Sequence, residues 1–171
     1  MAAQDILRIM VFVLSAASIA VMVSNKQTVY VFSIRFDAHF YYSSSLRFFV
    51  AANGIICGYS LLELIINIWA LLVQRVSQRK GYHHDFSLFV FDLGMTLLLI
   101  SGCAAATAIG YVGQYGEEHV GWLPICDRVS KFCKTNLASI LLSYLALVSN
   151  LGLTLLMTYK SIKSSPKNES A

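Results

Sequence analysis
Four long apolar blocks dominate this sequence, at residues 6–23, 48–73, 86–112 and 137–159. Within them the charged side chains reduce to Arg8, Glu63 and Asp92, and the fourth block carries none. A helix rising about 1.5 Å per residue needs roughly 20 mainly apolar residues to cross a hydrocarbon layer about 30 Å thick. Backbone groups in that layer find no water, so each block must satisfy its own hydrogen bonds as a helix. A transmembrane β-barrel would need repeated alternating segments of about ten residues, and none of the four blocks alternates. The expected fold is an all-α membrane protein: a four-transmembrane-helix bundle with a short β element in the first extracellular loop.

Composition agrees with that placement. Charged residues make up 13% of the 171, roughly half the usual 25% of a soluble domain. The first block resembles a signal peptide only in its length and in Ser18-Ile19-Ala20. Asp5 precedes it and its basic end is weak, so retention as a helix is expected.

Four crossings put both termini on one face. Arg8, Arg75, Arg79, Lys80, Lys160, Lys163 and Lys167 then share one side, and Lys26, Arg35, Arg47, Arg128, Lys131 and Lys134 the other. The totals nearly tie, but the first group crowds into short segments at the helix ends, where the positive-inside bias acts. Both termini and the loop at 74–85 are therefore expected in the cytosol, with outer loops at 24–47 and 113–136 and a polar, disordered tail at 160–171. The sequon at Asn168 falls on that tail and is expected to stay unmodified. Cys126 and Cys133 share the second outer loop. An oxidising compartment permits a disulfide between them; the alternative is two free thiols.

Polar and small residues recur at helical spacing within each block. The sets are Arg8, Ser15, Ser18 and Asn25; Asn53, Ser60, Glu63, Asn67 and Gln74; Asp92, Thr96, Cys103, Thr107 and Gly110; and Ser139, Ser143, Ala146, Asn150, Thr154 and Thr158. Steps of three, four and seven place each set on one stripe. Lipid tails repel such stripes, so all four are expected to face a common centre. Gly54-xxx-Gly58 and Gly102-xxx-Ala106-xxx-Gly110 are small-residue patterns that let helices approach closely. Packing within the chain is the first reading and an interface between subunits the second.

An unpaired charge at mid-bilayer costs at least about 2.5–3.5 kcal/mol. An Arg8–Asp92 ion pair would avoid much of that and lock the first helix against the third. Glu63, deeper in the second block, is expected to be buried. A proton or cation path through Glu63 and Asp92 is the functional alternative.

The first outer loop contains a period-two run, with Tyr30, Phe32, Ile34 and Phe36 interleaved by Val31, Ser33, Arg35 and Asp37. This predicts a strand with one covered face, and a second short strand near residues 40–42. Chemistry is scarce by comparison. There is no Cys-x-x-Cys, no Gly-rich phosphate loop, and no partner set for His83-His84 as metal ligands. No catalytic, cofactor or metal site is expected. The basic residues suit anionic lipid headgroups rather than nucleic acid.

Several stretches, in this order, resemble the plant Casparian strip membrane domain protein-like family, related to the MARVEL tetraspan proteins. They are Arg8, Asn25-Lys26-Gln27-Thr28, Leu46-Arg47-Phe48-Phe49-Val50-Ala51-Ala52-Asn53 and Tyr59-Ser60-Leu61-Leu62. Phe91-Asp92-Leu93, the small run from Ser101 to Ala106, Trp122-Leu123-Pro124-Ile125-Cys126 and Lys131-Phe132-Cys133 complete the set. The resemblance implies a multi-pass plasma-membrane protein with cytosolic termini whose membrane Arg and Asp are Arg8 and Asp92. It further implies a scaffold in the bilayer, assembling as homodimers, higher homo-oligomers or heteromers with relatives, with secreted wall-modifying enzymes as recruited partners. Residues 36–45 differ from the first outer loop of the founding branch, so the resemblance is to the broader family.

Overall fold
The computed structural model describes residues 2–31, 34–73, 82–117, 119 and 121–164. Four helices carry the chain: α1 (Ala2–Ser24), α2 (Ser44–Val73), α3 (Tyr82–Tyr115) and α4 (Ser130–Ser164). Each contains a stretch long and apolar enough to span a bilayer. The last three run to 30, 34 and 35 residues, so they extend beyond the roughly 20 that hydrocarbon requires. α4 begins seven residues before the apolar block because Lys131 and Lys134 are compatible with helix though not with lipid tails. At its far end it passes residue 160 and reaches Ser164; residues 165–171 lie outside the described set, as do 74–81 of the second connection.

Around the bundle, α1 packs on α2 and α4, and α3 packs on the same two neighbours. α1 and α3 therefore face each other across a diagonal, as do α2 and α4. Side chains are distributed inside-out relative to a soluble protein. Arg8, Ser15, Ser18, Asn53, Ser60, Asp92, Ser139, Ser143 and Asn150 are buried. Ile9, Val13, Ile55, Leu62, Leu97, Leu145 and Leu155 are exposed. An aqueous surface does not tolerate a continuous apolar girdle of this extent, and a bilayer requires one. The chain is a multi-pass membrane protein, with a core of Val11, Met22, Phe49, Ile56, Leu99, Cys103 and Ala106 between the polar seams.

Between α1 and α2 the chain forms a two-stranded antiparallel hairpin, β1 (Lys26–Val31) with β2 (Ile34–His39). The period-two run is thus two strands rather than one. Alternation reports extended backbone but not where it reverses, and the Val31↔Ile34 pairing places the reversal inside the run. Residues 40–42, expected as a second strand, form a 3-10 turn that leads into α2. Phe32 and Ser33 lie outside the described residues. A lone two-stranded hairpin is marginal in water. This one is tied to α4, where Gln27 Oε1 accepts the Phe132 backbone N–H at 2.8 Å and Asn25 Nδ2 donates to the Phe132 carbonyl at 2.9 Å. The Gln27 contact satisfies one of the orphan donors of the α4 N-terminus.

Candidate functional site: a cross-linked polar interior and a braced loop end
Arg8 and Asp92 meet across the α1–α3 diagonal, with Arg8 Nη2 3.1 Å from Asp92 Oδ2 and both side chains almost wholly buried. The Tyr59 ring of α2 lies beside the guanidinium, 5.8 Å from its centroid. Asn150 Nδ2 from α4 reaches Thr96 Oγ1 at 2.9 Å and the Asp92 carbonyl at 3.4 Å. All four helices thus contribute to one layer. Tyr59 Oη and Asp92 Oδ1 are both buried without a hydrogen-bond partner. The sequence marks Tyr59 only as part of the run Tyr59-Ser60-Leu61-Leu62 and does not assign it to the ion pair, although it lies one helical turn from Glu63 and next to Ser60.

A second layer ties the other diagonal. Ser143 Oγ donates to Asn53 Oδ1 at 2.9 Å, joining α4 to α2, and Cys103 Sγ donates to the same serine at 3.2 Å. Between α1 and α4 the bonding is reciprocal: Ser18 Oγ donates to the Ser139 carbonyl at 2.9 Å and Ser139 Oγ to the Ser18 carbonyl at 2.8 Å. Thr107 departs from its stripe: it is exposed, and its hydroxyl bonds the Cys103 carbonyl of its own helix and the Tyr144 hydroxyl.

Glu63 is buried to 8% exposure and forms no salt bridge among the described residues. It lines an open groove of about 340 Å³ shared with Tyr59, Leu62, Ser87, Leu88, Phe91 and Met95 of α2 and α3. The two small-residue patterns also separate. A Cβ on Gly102 would stand 3.1 Å from Ala52 Cβ and 3.6 Å from Phe49 Cα, Ala106 is fully buried, and a Cβ on Gly110 would meet Asn136 Nδ2 at 3.7 Å. This run is where α3 comes close to α2 and α4. Gly54 and Gly58 are exposed, with open space where a Cβ would stand. Among the described residues nothing lies within 4 Å of either position.

At the end of the bundle that carries the hairpin, Cys126 and Cys133 form a disulfide joining the α3–α4 loop to the first turn of α4. The Gly113 carbonyl accepts the N–H groups of Ile125 and Cys126 at 2.9 and 3.1 Å, which satisfies an end carbonyl of α3. Gly116, at φ 73°, makes the turn possible: a Cβ there would meet the Trp122 carbonyl at 2.5 Å. Across the rim, the hairpin holds Asp37 between the Thr28 hydroxyl (2.6 Å) and Arg35 Nε (3.1 Å). Those two donors hold its carboxyl below the usual range. Among the described residues no group of three or more His, Cys, Asp or Glu is placed to hold a metal.

A family model described as the Casparian strip membrane protein domain matches residues 2–149. A CASP-like protein 1F2 of Ricinus communis is 45% identical over 166 residues, 95% of this chain and 79% of that protein. A CASP-like protein 1F2 of Vitis vinifera is 42% identical over 154 residues, 90% and 78% of the two chains. A CASP-like protein 1F1 of the same plant is 42% identical over 155 residues, 91% of this chain and 73% of that one. No solved structure matches. With the match spanning most of the chain, four membrane-crossing helices and the buried Arg8 and Asp92 in place, this protein belongs to the Casparian strip membrane protein domain family.

Proposed function
We propose that this chain is a non-enzymatic scaffold of the plasma membrane that associates with further copies of itself or with relatives. The observation that carries the reading is the outward pair Gly54 and Gly58. In lipid, helices associate mainly through close van der Waals contact, and glycines four residues apart provide a flat track for it. The polar side chains support the same reading, because they are engaged inside the bundle (Arg8 with Asp92, Ser143 with Asn53, Ser18 with Ser139). Recruitment of secreted wall-modifying enzymes would then fall to the outer loops. Cytosolic termini are supported by the disulfide at Cys126–Cys133, which belongs to an oxidising compartment, and by the basic residues crowded at the opposite helix ends.

Photobleaching in a plant plasma membrane tests the reading. The wild-type protein is expected to recover slowly and to crosslink into oligomers. The Gly54→Leu, Gly58→Leu double variant should recover faster, because the added side chains fill the track from positions where a Cβ has open space. A wild-type protein that diffuses as a monomer would defeat the proposal.

A further inference from the structure
The second outer loop does not simply project from the bundle. Its bonds from Ile125 and Cys126 to the Gly113 carbonyl bring residues 125–126 back beside the last turn of α3. Glu117 and Trp122 exchange two backbone bonds at 2.8 and 3.0 Å, with Gly121 at φ 72° between them. The disulfide fixes the other end to α4. A loop so thoroughly held would be expected to bury its apolar residues. Instead Trp122 is 56% exposed, Leu123 80% and Ile125 58%. Tyr111 and Tyr115, on the last turns of α3, are also exposed, with ring centroids 4.8 Å apart.

We infer that residues 122–125 form a rigid apolar foot that enters the outer interfacial layer of the bilayer. The depth argument comes first: the loop is bonded to Gly113, which lies within the membrane-spanning stretch Ser87–Tyr115. Residues 125–126 are therefore held beside the end of that stretch, at a residue two positions from the exposed Tyr111 and Tyr115 on either side. Chemistry agrees, since Trp and Tyr favour the headgroup boundary, where the ring is apolar and its N–H or O–H stays wet. Exposed Arg128, Lys131 and Lys134 follow in the sequence and suit lipid phosphates; exposed Glu117 and Asp127 remain in water. The foot would set the height of the α3–α4 corner, and with it the level at which the outer loops stand.

The chain has two tryptophans, Trp69 near the other end of α2 and Trp122. Purified Trp69→Phe protein, placed one copy per nanodisc in phosphatidylcholine, makes Trp122 the only reporter. Its emission is expected to be blue-shifted, strongly quenched when the lipid is brominated high on the acyl chain, and little affected by aqueous iodide. Adding Leu123→Glu and Ile125→Glu, both at exposed positions, should reverse that preference with the disulfide intact. Water-like emission open to iodide and indifferent to brominated lipid would overturn the inference. So would shielding that appears only when two copies share a disc, which would assign the surface to a second chain, and so would a quenching pattern unmoved by the two glutamates.

Discussion

Removing one member of the Arg8–Asp92 pair leaves the other charge buried among lipid-enclosed helices. The expected loss for Arg8→Ala or Asp92→Ala is at least about 2.5–3.5 kcal/mol, against about 0.6 kcal/mol for each of the two interhelical hydrogen bonds lost in Ser143→Ala. Unfolding in mixed micelles should rank the variants in that order. The swap Arg8→Asp, Asp92→Arg should recover part of the loss. The apolar pair Arg8→Leu, Asp92→Leu should fold better than either single change, because no buried charge is stranded. Equal, additive defects would show that the two residues act separately. Asp37 behaves differently, being at the aqueous rim. Its pKa is lowered by Thr28 and Arg35, so the carboxylate favours the hairpin above the unfolded pKa. That contribution is lost as pH falls through the folded one. Chemical shifts of β1 and β2 should therefore stay constant near neutrality and move only in acid below the usual carboxylate range; Asp37→Asn should abolish the transition. At this scale Arg8 and Asp92 were legible because a membrane charge demands an opposite charge. Tyr59 was not, because an uncharged tyrosine within an apolar block carries no such demand.

Among the elements, helix positions followed from hydropathy, whereas their polar ends did not, since Lys131 and Lys134 are neutral toward helix and unfavourable only toward lipid. Extended backbone between α1 and α2 was equally legible. Its reversal was missed because a hairpin of two short alternating strands preserves most of the alternation of one long strand. The small-residue patterns at 54–58 and 102–110 look alike in the sequence, and only packing separates them. Gly102→Leu should destabilise the protein, since Ala52 and the Phe49 backbone already occupy that space, and overpacking typically costs about 1–3 kcal/mol. Gly54→Leu should leave monomer stability nearly unchanged in the same assay. In the loop between α3 and α4, Gly116→Ala meets both a left-handed backbone and the Trp122 carbonyl. It should loosen the turn and make the Cys126–Cys133 bond open more readily to a reductant, as read by thiol alkylation over time.

For the whole molecule, the inward polar stripes were the most informative sequence feature, because helical spacing and lipid exclusion together leave them one direction to face. The described positions largely follow that rule, from Arg8 to Thr154, with exposed Thr107 bonding Tyr144 instead. What packs on Gly54 and Gly58 was not legible, since a glycine track serves intramolecular and intermolecular packing equally well. The central claim is that α2 presents its outward track to another copy. It is tested most directly by oxidative crosslinking of Gly58→Cys in native membranes, with Cys57 replaced by serine and the fully buried Cys103 retained as an internal control. The account predicts a disulfide-linked dimer that depends on Cys at position 58 and is lost when Gly54 is also changed to leucine. Chains that stay monomeric under oxidation, or that crosslink equally without the cysteine at 58, would contradict it.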